Sequence, residues 1–170
     1  MLYSNAMSFQ DVDFLKLDRL LSQEKKLIRE RAQIFVQNNV IPVIENHYME
    51  GTFPIKLVQL MGQQGYLGAQ LEGYGCLGLD SIAYGLIMQE LERGDSSVRS
   101  FASVQSALVM YPIYAFGSKR QLDQWLPQLQ SGKAIGCFGL TEHEGGSDPG
   151  AMKTRARKDG ESYILSGTKM

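Results

Sequence analysis

The hydrophobic rhythm of the chain changes once, at Gly132. Before it, apolar residues recur every three or four positions, the spacing of one face of a helix; after it, they alternate, the spacing of a strand. Helices followed by strands, rather than helices interleaved with them, predict an α+β protein or two adjacent domains and not a parallel α/β sheet.

Upstream of Gly132 the punctuation divides the helical part into pieces. Leu27, Ile28, Ala32, Phe35, Val36 and Val40 share one face of a helix over 24–40, with Ser22 as its cap, and Pro42 is expected to end or kink it. Pro54 opens a second helix with Leu57, Leu60 and Met61 inward and Gly65 just beyond its end. Asp80 or Ser81 caps a third, running to Leu91 or Glu92 with Ile82, Leu86, Ile87 or Met88, and Leu91 as apolar positions, and Gly94 fits the C′ position. Asp95-Ser96-Ser97 caps a fourth from Val98 to about Met110, apolar enough to be buried on most sides. Pro112 starts another turn, and Ser118 caps a last helix whose inner stripe is Leu122, Trp125, Leu126 and Leu129.

Downstream, Ala134 to Thr141 reads as a strand. Thr154–Lys158 and Ser162–Leu165 alternate across Asp159-Gly160, a strong hairpin turn. Residues Tyr163 to Met170 read as a strand in progress, so the chain is expected to be a fragment. At the other end, Asp11 to Leu21 reads as a short helical or turn lead-in, and Ser4-Asn5-Ala6-Met7 resembles a tag-cleavage scar. The expected division is therefore leader 1–6, a helical domain 7–133, and the beginning of an antiparallel β-domain 134–170.

Several function classes fall away. A chain of 170 residues holds one domain or slightly more. Seventeen Lys and Arg against 18 Asp and Glu leave no basic excess for nucleic acid. No apolar run reaches the length of a membrane span. Cys76 and Cys137 lack metal spacing and read as two free thiols in a reducing compartment, and His47 and His143 stand alone as surface histidines. Residues Gly73 to Gly78 spell GxGxxG, but helices precede and follow them. The dinucleotide fingerprint needs a strand before it and a βαβ unit around it, so this glycine cluster reads as an irregular connection.

Two features carry chemistry. The first is Gly139-Leu140-Thr141-Glu142-His143-Glu144-Gly145-Gly146-Ser147-Asp148-Pro149-Gly150-Ala151, a strand end opening into small residues. Such a loop can turn N–H groups toward an anion, while Thr141 and Ser147 add hydroxyls; it can equally be a solvated turn. The second is Arg99, at the start of the apolar fourth helix. A buried guanidinium needs a carboxylate or phosphate, for which its planar fork is suited, and Ser103 lies one turn along; a pair with Asp95, one turn back, accounts for it as well.

The Leu-Thr-Glu strand end leading into Gly-Gly-Ser-Asp resembles the signature of the acyl-CoA dehydrogenases, with His143 departing from it where that family usually has proline. The resemblance extends over residues 22–170. It is carried by Glu72-Gly73-Tyr74-Gly75-Cys76, Ala83-Tyr84-Gly85-Leu86, Glu90-Leu91-Glu92-Arg93, Ser103-Val104-Gln105-Ser106 and Cys137-Phe138-Gly139-Leu140-Thr141-Glu142. These are most similar to the glutaryl-CoA branch. The resemblance implies a helical amino-terminal domain, a β-domain and a second helical domain, the last absent here. It implies FAD, held by Phe138, Leu140, Thr141, Gly146 and Ser147. It implies an acyl-CoA touched by Ser147, with a distal carboxylate met by Arg99, Ser100 and Ser103.

The reaction so implied is α,β-dehydrogenation of glutaryl-CoA, with decarboxylation to crotonyl-CoA and electrons passed to an electron-transfer flavoprotein, in a homotetramer. The setting is the bacterial cytoplasm, or the mitochondrial matrix if a presequence has been removed. The catalytic base belongs to the absent domain. Glu90, Glu92, Glu142 and Glu144 are not substitutes; Glu90 and Glu92 are expected on a helix face or in an ion pair. The chain alone is therefore expected to show no turnover. The alternatives are a short- or branched-chain acyl-CoA dehydrogenase and, from another class, a noncatalytic helical binding module.

Overall fold

The computed structural model describes residues 15–170; the expected leader at 1–6 and the start of the lead-in at 11–14 lie outside the described residues. A short 3-10 turn, Leu17–Leu20, is tied to the first helix by a two-pronged pair in which Arg29 donates to both carboxylate oxygens of Asp18, at 2.6 and 2.7 Å. Helix α1 (Gln23–Phe35) begins at Ser22, whose hydroxyl accepts from the Lys25 N–H.

Pro42 does not end this helix. The chain widens over Val36–Val40, where the Ile41 N–H reaches back five residues to the Val36 carbonyl, and continues as α2 (Ile41–Glu50). A proline inside a helix lacks its own N–H and crowds the carbonyl four residues earlier; one wide turn before it relieves both problems. The same arrangement recurs at Pro112. Helix α5 (Ser96–Ser103) widens over Val104–Met110, the Tyr111 N–H bonds the Ser106 carbonyl, and α6 (Tyr111–Phe116) follows. What the sequence reads as two helices is thus one continuous rod from 96 to 116.

Between these rods lie α3 (Lys56–Gln63) and a small hairpin, β1 (Glu72–Gly73) and β2 (Cys76–Leu77), antiparallel with Gly73 opposite Cys76. Tyr74 and Gly75 form its two-residue turn at φ 55° and 85°, the left-handed pair that a type I′ turn needs. The GxGxxG string is therefore a regular hairpin and its approach rather than the expected irregular connection, and among the described residues no βαβ unit surrounds it.

Helix α4 (Ser81–Gly94) is capped by Asp80, which accepts from the Ala83 N–H at 2.9 Å, and it packs on α1 and α5. Gly94 is not a left-handed C′ residue. It ends the helix itself, and a Cβ there would lie 2.6 Å from Val36 Cγ1, so glycine permits close approach of α4 to the first rod. Helix α7 (Lys119–Gln130) starts in a Ser118–Gln121 capping box.

One core joins these elements. Val36, Val40, Met61, Leu67, Ile87, Leu91, Val98, Met110 and Leu126 are fully buried within it. Three expected inner positions face outward instead: Leu27, Ile82 and Trp125. The fourth helix is also less enclosed than expected, since Ala107 and Leu108 are exposed. At Ile82 and Trp125 the next residue, Ala83 or Leu126, takes the buried face, because a broad apolar stripe does not say which of its edges meets the core.

The last 37 residues hold one sheet. Strands β3 (Arg155–Asp159) and β4 (Ser162–Ser166) pair antiparallel with Asp159 opposite Ser162, around Gly160 at φ 60°. Both faces of this hairpin are exposed. Ala134 to Thr141 is not a strand: among the described residues no neighbouring strand pairs with it. Its main chain is held at separate points, by Gln105 at Gly136, by Lys169 Nζ at the Leu140 carbonyl, and by the Met170 N–H at the Thr141 carbonyl.

Candidate functional site

The loop after Leu140 is built around Glu142. Its side chain is nearly buried, and its carboxylate accepts from the Lys153 N–H at 2.6 Å, the Thr154 N–H at 3.0 Å and Lys169 Nζ at 2.9 Å. These donors, led by the Lys153 main chain, hold the carboxyl down at about 2. Glu142 is thus a structural pin. Neighbouring Glu144 pairs with Lys153 at the surface, and His143 is exposed beside a cavity of about 230 Å³ that it shares with Thr154 and Thr168.

With Glu142 fixed, the expected rim residues come to the surface together. Phe138, Leu140, Thr141, Gly146 and Ser147 are all exposed. The loop spends four of its N–H groups on itself: Glu142 donates to the Gly145 carbonyl and Gly145 to the Glu142 carbonyl, Gly150 donates to the Asp148 carboxylate, and Ala151 to the Asp148 carbonyl. Among the described residues, the N–H groups of 137–141, 146 and 147 have no protein partner, and neither do the Thr141 and Ser147 hydroxyls. Nothing lies within 4 Å of where a Cβ on Gly146 would sit. Exposed apolar side chains flanking unpaired main-chain donors, with an open glycine and a serine beyond, fit a flat heteroaromatic ring bearing a phosphate tail.

Arg99, Ser100 and Ser103 lie on α5. Arg99 is partly exposed, and its Nε donates to Glu92 at 2.5 Å. Asp95 is not its partner. That carboxylate caps α5, accepting from the Ser97 and Val98 N–H groups at 2.9 and 3.1 Å. The Ser103 hydroxyl donates to the Ser100 carbonyl, and among the described residues no hydrogen bond joins Arg99 to either serine. Glu90 is buried against Arg93 at 2.7 Å, so both helix glutamates are in ion pairs, as expected.

Sequence reasoning missed two side chains here. Tyr84 is half-buried on α4; burial pushes its phenol up, with Ser106 and Arg99 acting in the other direction. Gln105 is buried beside Ser106, and both are polar in a helix otherwise read as apolar. A pair of polar residues at the buried face was the available signal. Cys76 is half-buried, which pushes its thiol up to about 11, and Cys137 is exposed; neither is bonded to the other. Among the described residues no group of His, Cys, Asp and Glu could hold a metal ion, and no helix is long and apolar enough to cross a membrane.

Known proteins resemble this chain over most of its length. The acyl-CoA dehydrogenase N-terminal domain family matches residues 22–133. The chain is 38% identical over 150 residues to the mitochondrial short-chain specific acyl-CoA dehydrogenase of Bos taurus, covering 88% of this chain and 36% of that relative. The crystal structure of a glutaryl-CoA dehydrogenase from Mycobacterium smegmatis in complex with FADH2 superposes with a TM-score of 0.89 at 48% identity, covering 92% of this chain and 41% of that one. A structure described as an electron transferring flavoprotein of Acidaminococcus fermentans superposes at 0.82 with 33% identity, over 88% of this chain and 40% of that one. The chain thus spans well under half the length of each of these relatives. Its helical fold with small antiparallel strand pairs is theirs, and on these grounds the chain belongs to the acyl-CoA dehydrogenases, a family of FAD-dependent oxidoreductases, whose N-terminal domain it carries.

Proposed function

We propose that this chain is the amino-terminal part of an FAD-dependent dehydrogenase acting on glutaryl-CoA, with a helical domain through residue 133 and the start of a β-domain after it. The observation that carries the substrate is the Arg99–Glu92 pair. Arg99 sits at the head of α5 with its guanidinium already against a carboxylate. A second carboxylate, at the far end of an acyl chain, is the ligand such a fork accepts bidentately, and Ser100 and Ser103 stand on the same helix to add hydroxyls. A plain alkyl terminus would leave Arg99 without that partner.

Phe138, Leu140, Thr141, Gly146 and Ser147 would hold the flavin and its diphosphate, and Ser147 would also reach the acyl-CoA. FAD, when bound, supplies the hydride acceptor. The chain's own contribution is to seat that group through main-chain donors and hydroxyls and to orient the acyl tail from α5. The α-proton would be taken by a base outside this chain, because Glu90, Glu92, Glu142 and Glu144 are occupied in ion pairs or main-chain hydrogen bonds. Decarboxylation to crotonyl-CoA, transfer of electrons to an electron-transfer flavoprotein, tetrameric assembly and a cytoplasmic or mitochondrial-matrix setting complete the reading. The similarity to a short-chain specific relative supports a second reading, a dehydrogenase of short unbranched or branched acyl-CoA.

Kinetics of the complete polypeptide separate the two. Arg99→Ala should spare butyryl-CoA and lower kcat/KM for glutaryl-CoA by on the order of 100-fold, the scale of truncating one partner of a charged hydrogen-bonded pair. Equal loss on both substrates removes the carboxylate-binding role and leaves the short-chain reading.

A further inference from the structure

The two halves of the proposed site lie on different elements, and one side chain joins them. Gln105 is 2% exposed. Its carboxamide pairs with both main-chain groups of Gly136: Nε2 donates to the carbonyl at 2.7 Å, and the Gly136 N–H donates to Oε1 at 2.9 Å. This is the bonding of an antiparallel bridge, with a side chain in place of the neighbouring strand. Gly136 is pressed onto the helix as well, since a Cβ there would lie 2.2 Å from Val109 Cγ1.

The placement gives the bond its meaning. Gly136 stands two residues before Phe138, where the rim begins. Gln105 stands two residues after Ser103, on the rod that carries Arg99. Among the described residues, these two bonds are the hydrogen bonds between that rod and residues 134–141. Beyond Gly136 the segment is next held at Leu140 and Thr141. Phe138 therefore lies between two fixed points, and Gln105 is the one belonging to the substrate helix.

We propose that Gln105 is a positioning residue that sets the flavin rim against the substrate-carboxylate helix, so that cofactor binding and placement of the acyl tail are coupled through one buried amide. This rests on reading residues 138–147 as a flavin rim. A residue without a donor at this position leaves the Gly136 carbonyl unpaired, and one without an acceptor strands its N–H; the segment can satisfy them only by moving away from the helix.

The test uses the complete polypeptide, titrated with FAD and followed by flavin fluorescence and the visible flavin band, with circular dichroism and thermal midpoint recorded beside them. Gln105→Met should keep the wild-type dichroism, bind FAD about tenfold more weakly, and shift the visible band. Gln105→Glu should bind weakly at high pH, where an ionised carboxylate faces the Gly136 carbonyl. It should recover as pH falls, because the protonated acid again offers one donor and one acceptor; wild type and Gln105→Met should show no such recovery. Should Gln105→Met fail to fold, the pH dependence of Gln105→Glu decides alone. Wild-type FAD affinity and spectrum in both variants overturn the proposal. So does a loss that is flat with pH in Gln105→Glu and tracks the thermal midpoint, which marks a bond serving the fold alone. A wild type that takes up no FAD overturns the rim reading itself, and this proposal with it.

Discussion

The Glu142 carboxylate receives the main-chain N–H of Lys153 at 2.6 Å, eleven residues further along the chain. Together with the Thr154 N–H and Lys169, it closes the Gly-rich loop into a ring whose outer edge bears Gly146 and Ser147. The loop whose Gly146 and Ser147 main-chain donors stay unpaired among the described residues is thus itself held by main-chain donors given to a carboxylate.

The closure should depend on pH. The Glu142 carboxyl is held at about 2 against an ordinary value of 4.5, so its stabilisation is complete above the ordinary value and is lost as pH falls through about 2. The Lys153 and Thr154 amide resonances should titrate with a midpoint near the lower value. A midpoint near 4.5 would show the carboxylate to be free of these donors.

Glu142→Gln should weaken the same ring at neutral pH. The amide keeps one oxygen for a main-chain N–H but turns an NH2 group toward the other and loses the charge facing Lys169. Faster hydrogen exchange at Lys153 and Thr154, with the helical core unchanged, is the expected result. Unchanged exchange would mean that another group carries the loop.

Asp95 and Glu92 should separate cleanly. Asp95 caps α5, so Asp95→Ala should cost about 1 kcal/mol of stability in a denaturant titration, and Asp95→Asn much less, since asparagine also caps well. Neither should alter discrimination between glutaryl-CoA and butyryl-CoA, because Asp95 does not hold Arg99. On the proposed reading Glu92→Gln should alter it, by removing the charge that sits against the Arg99 guanidinium where a substrate carboxylate would bind.

Gly94→Ala should destabilise. Alanine favours a helix by about 1 kcal/mol over glycine. Its Cβ, however, would meet Val36 Cγ1 at 2.6 Å and Val40 Cγ1 at 3.2 Å, both in the core. Overpacking of this kind costs about 1–3 kcal/mol, and valine has no free rotamer by which to yield. Calorimetry should show a lowered midpoint that a second change, Val36→Ala, partly restores. Additive losses would place the conflict elsewhere.

The sequence made the helices, their caps and the Asp159–Gly160 hairpin readable because each depends on neighbours in the chain. Ser22, Asp80, Asp95 and Ser118 cap where residue type and spacing say they should. The segment 134–141 was misread because a short apolar run suits a buried strand, whereas a strand also needs a partner, and its partner at Gly136 is a glutamine side chain 31 residues away. For Arg99 the alternative of a pair with a neighbouring carboxylate named Asp95, and the structure puts Glu92 there instead. Asp95 was already engaged by the main chain, and Glu92, seven residues back, comes within reach only because α4 and α5 meet at Gly94 and Asp95. The Gly-rich loop was legible as an exposed turn of small residues, while the pin that shapes it, Glu142, was legible only as an acidic residue.

The wide turns before Pro42 and Pro112 bear on how this chain tolerates change. An ordinary helix that gains or loses one residue swings everything beyond it by about 100°. A rod that already contains a five-residue loop of hydrogen bonding can pass such an indel into that loop, tightening or relaxing it, while the side chains at either end keep their aim. The Arg99 end and the Phe116 end of the long rod are therefore free to diverge separately, and change around Arg99 need not disturb the packing of α6 on α7.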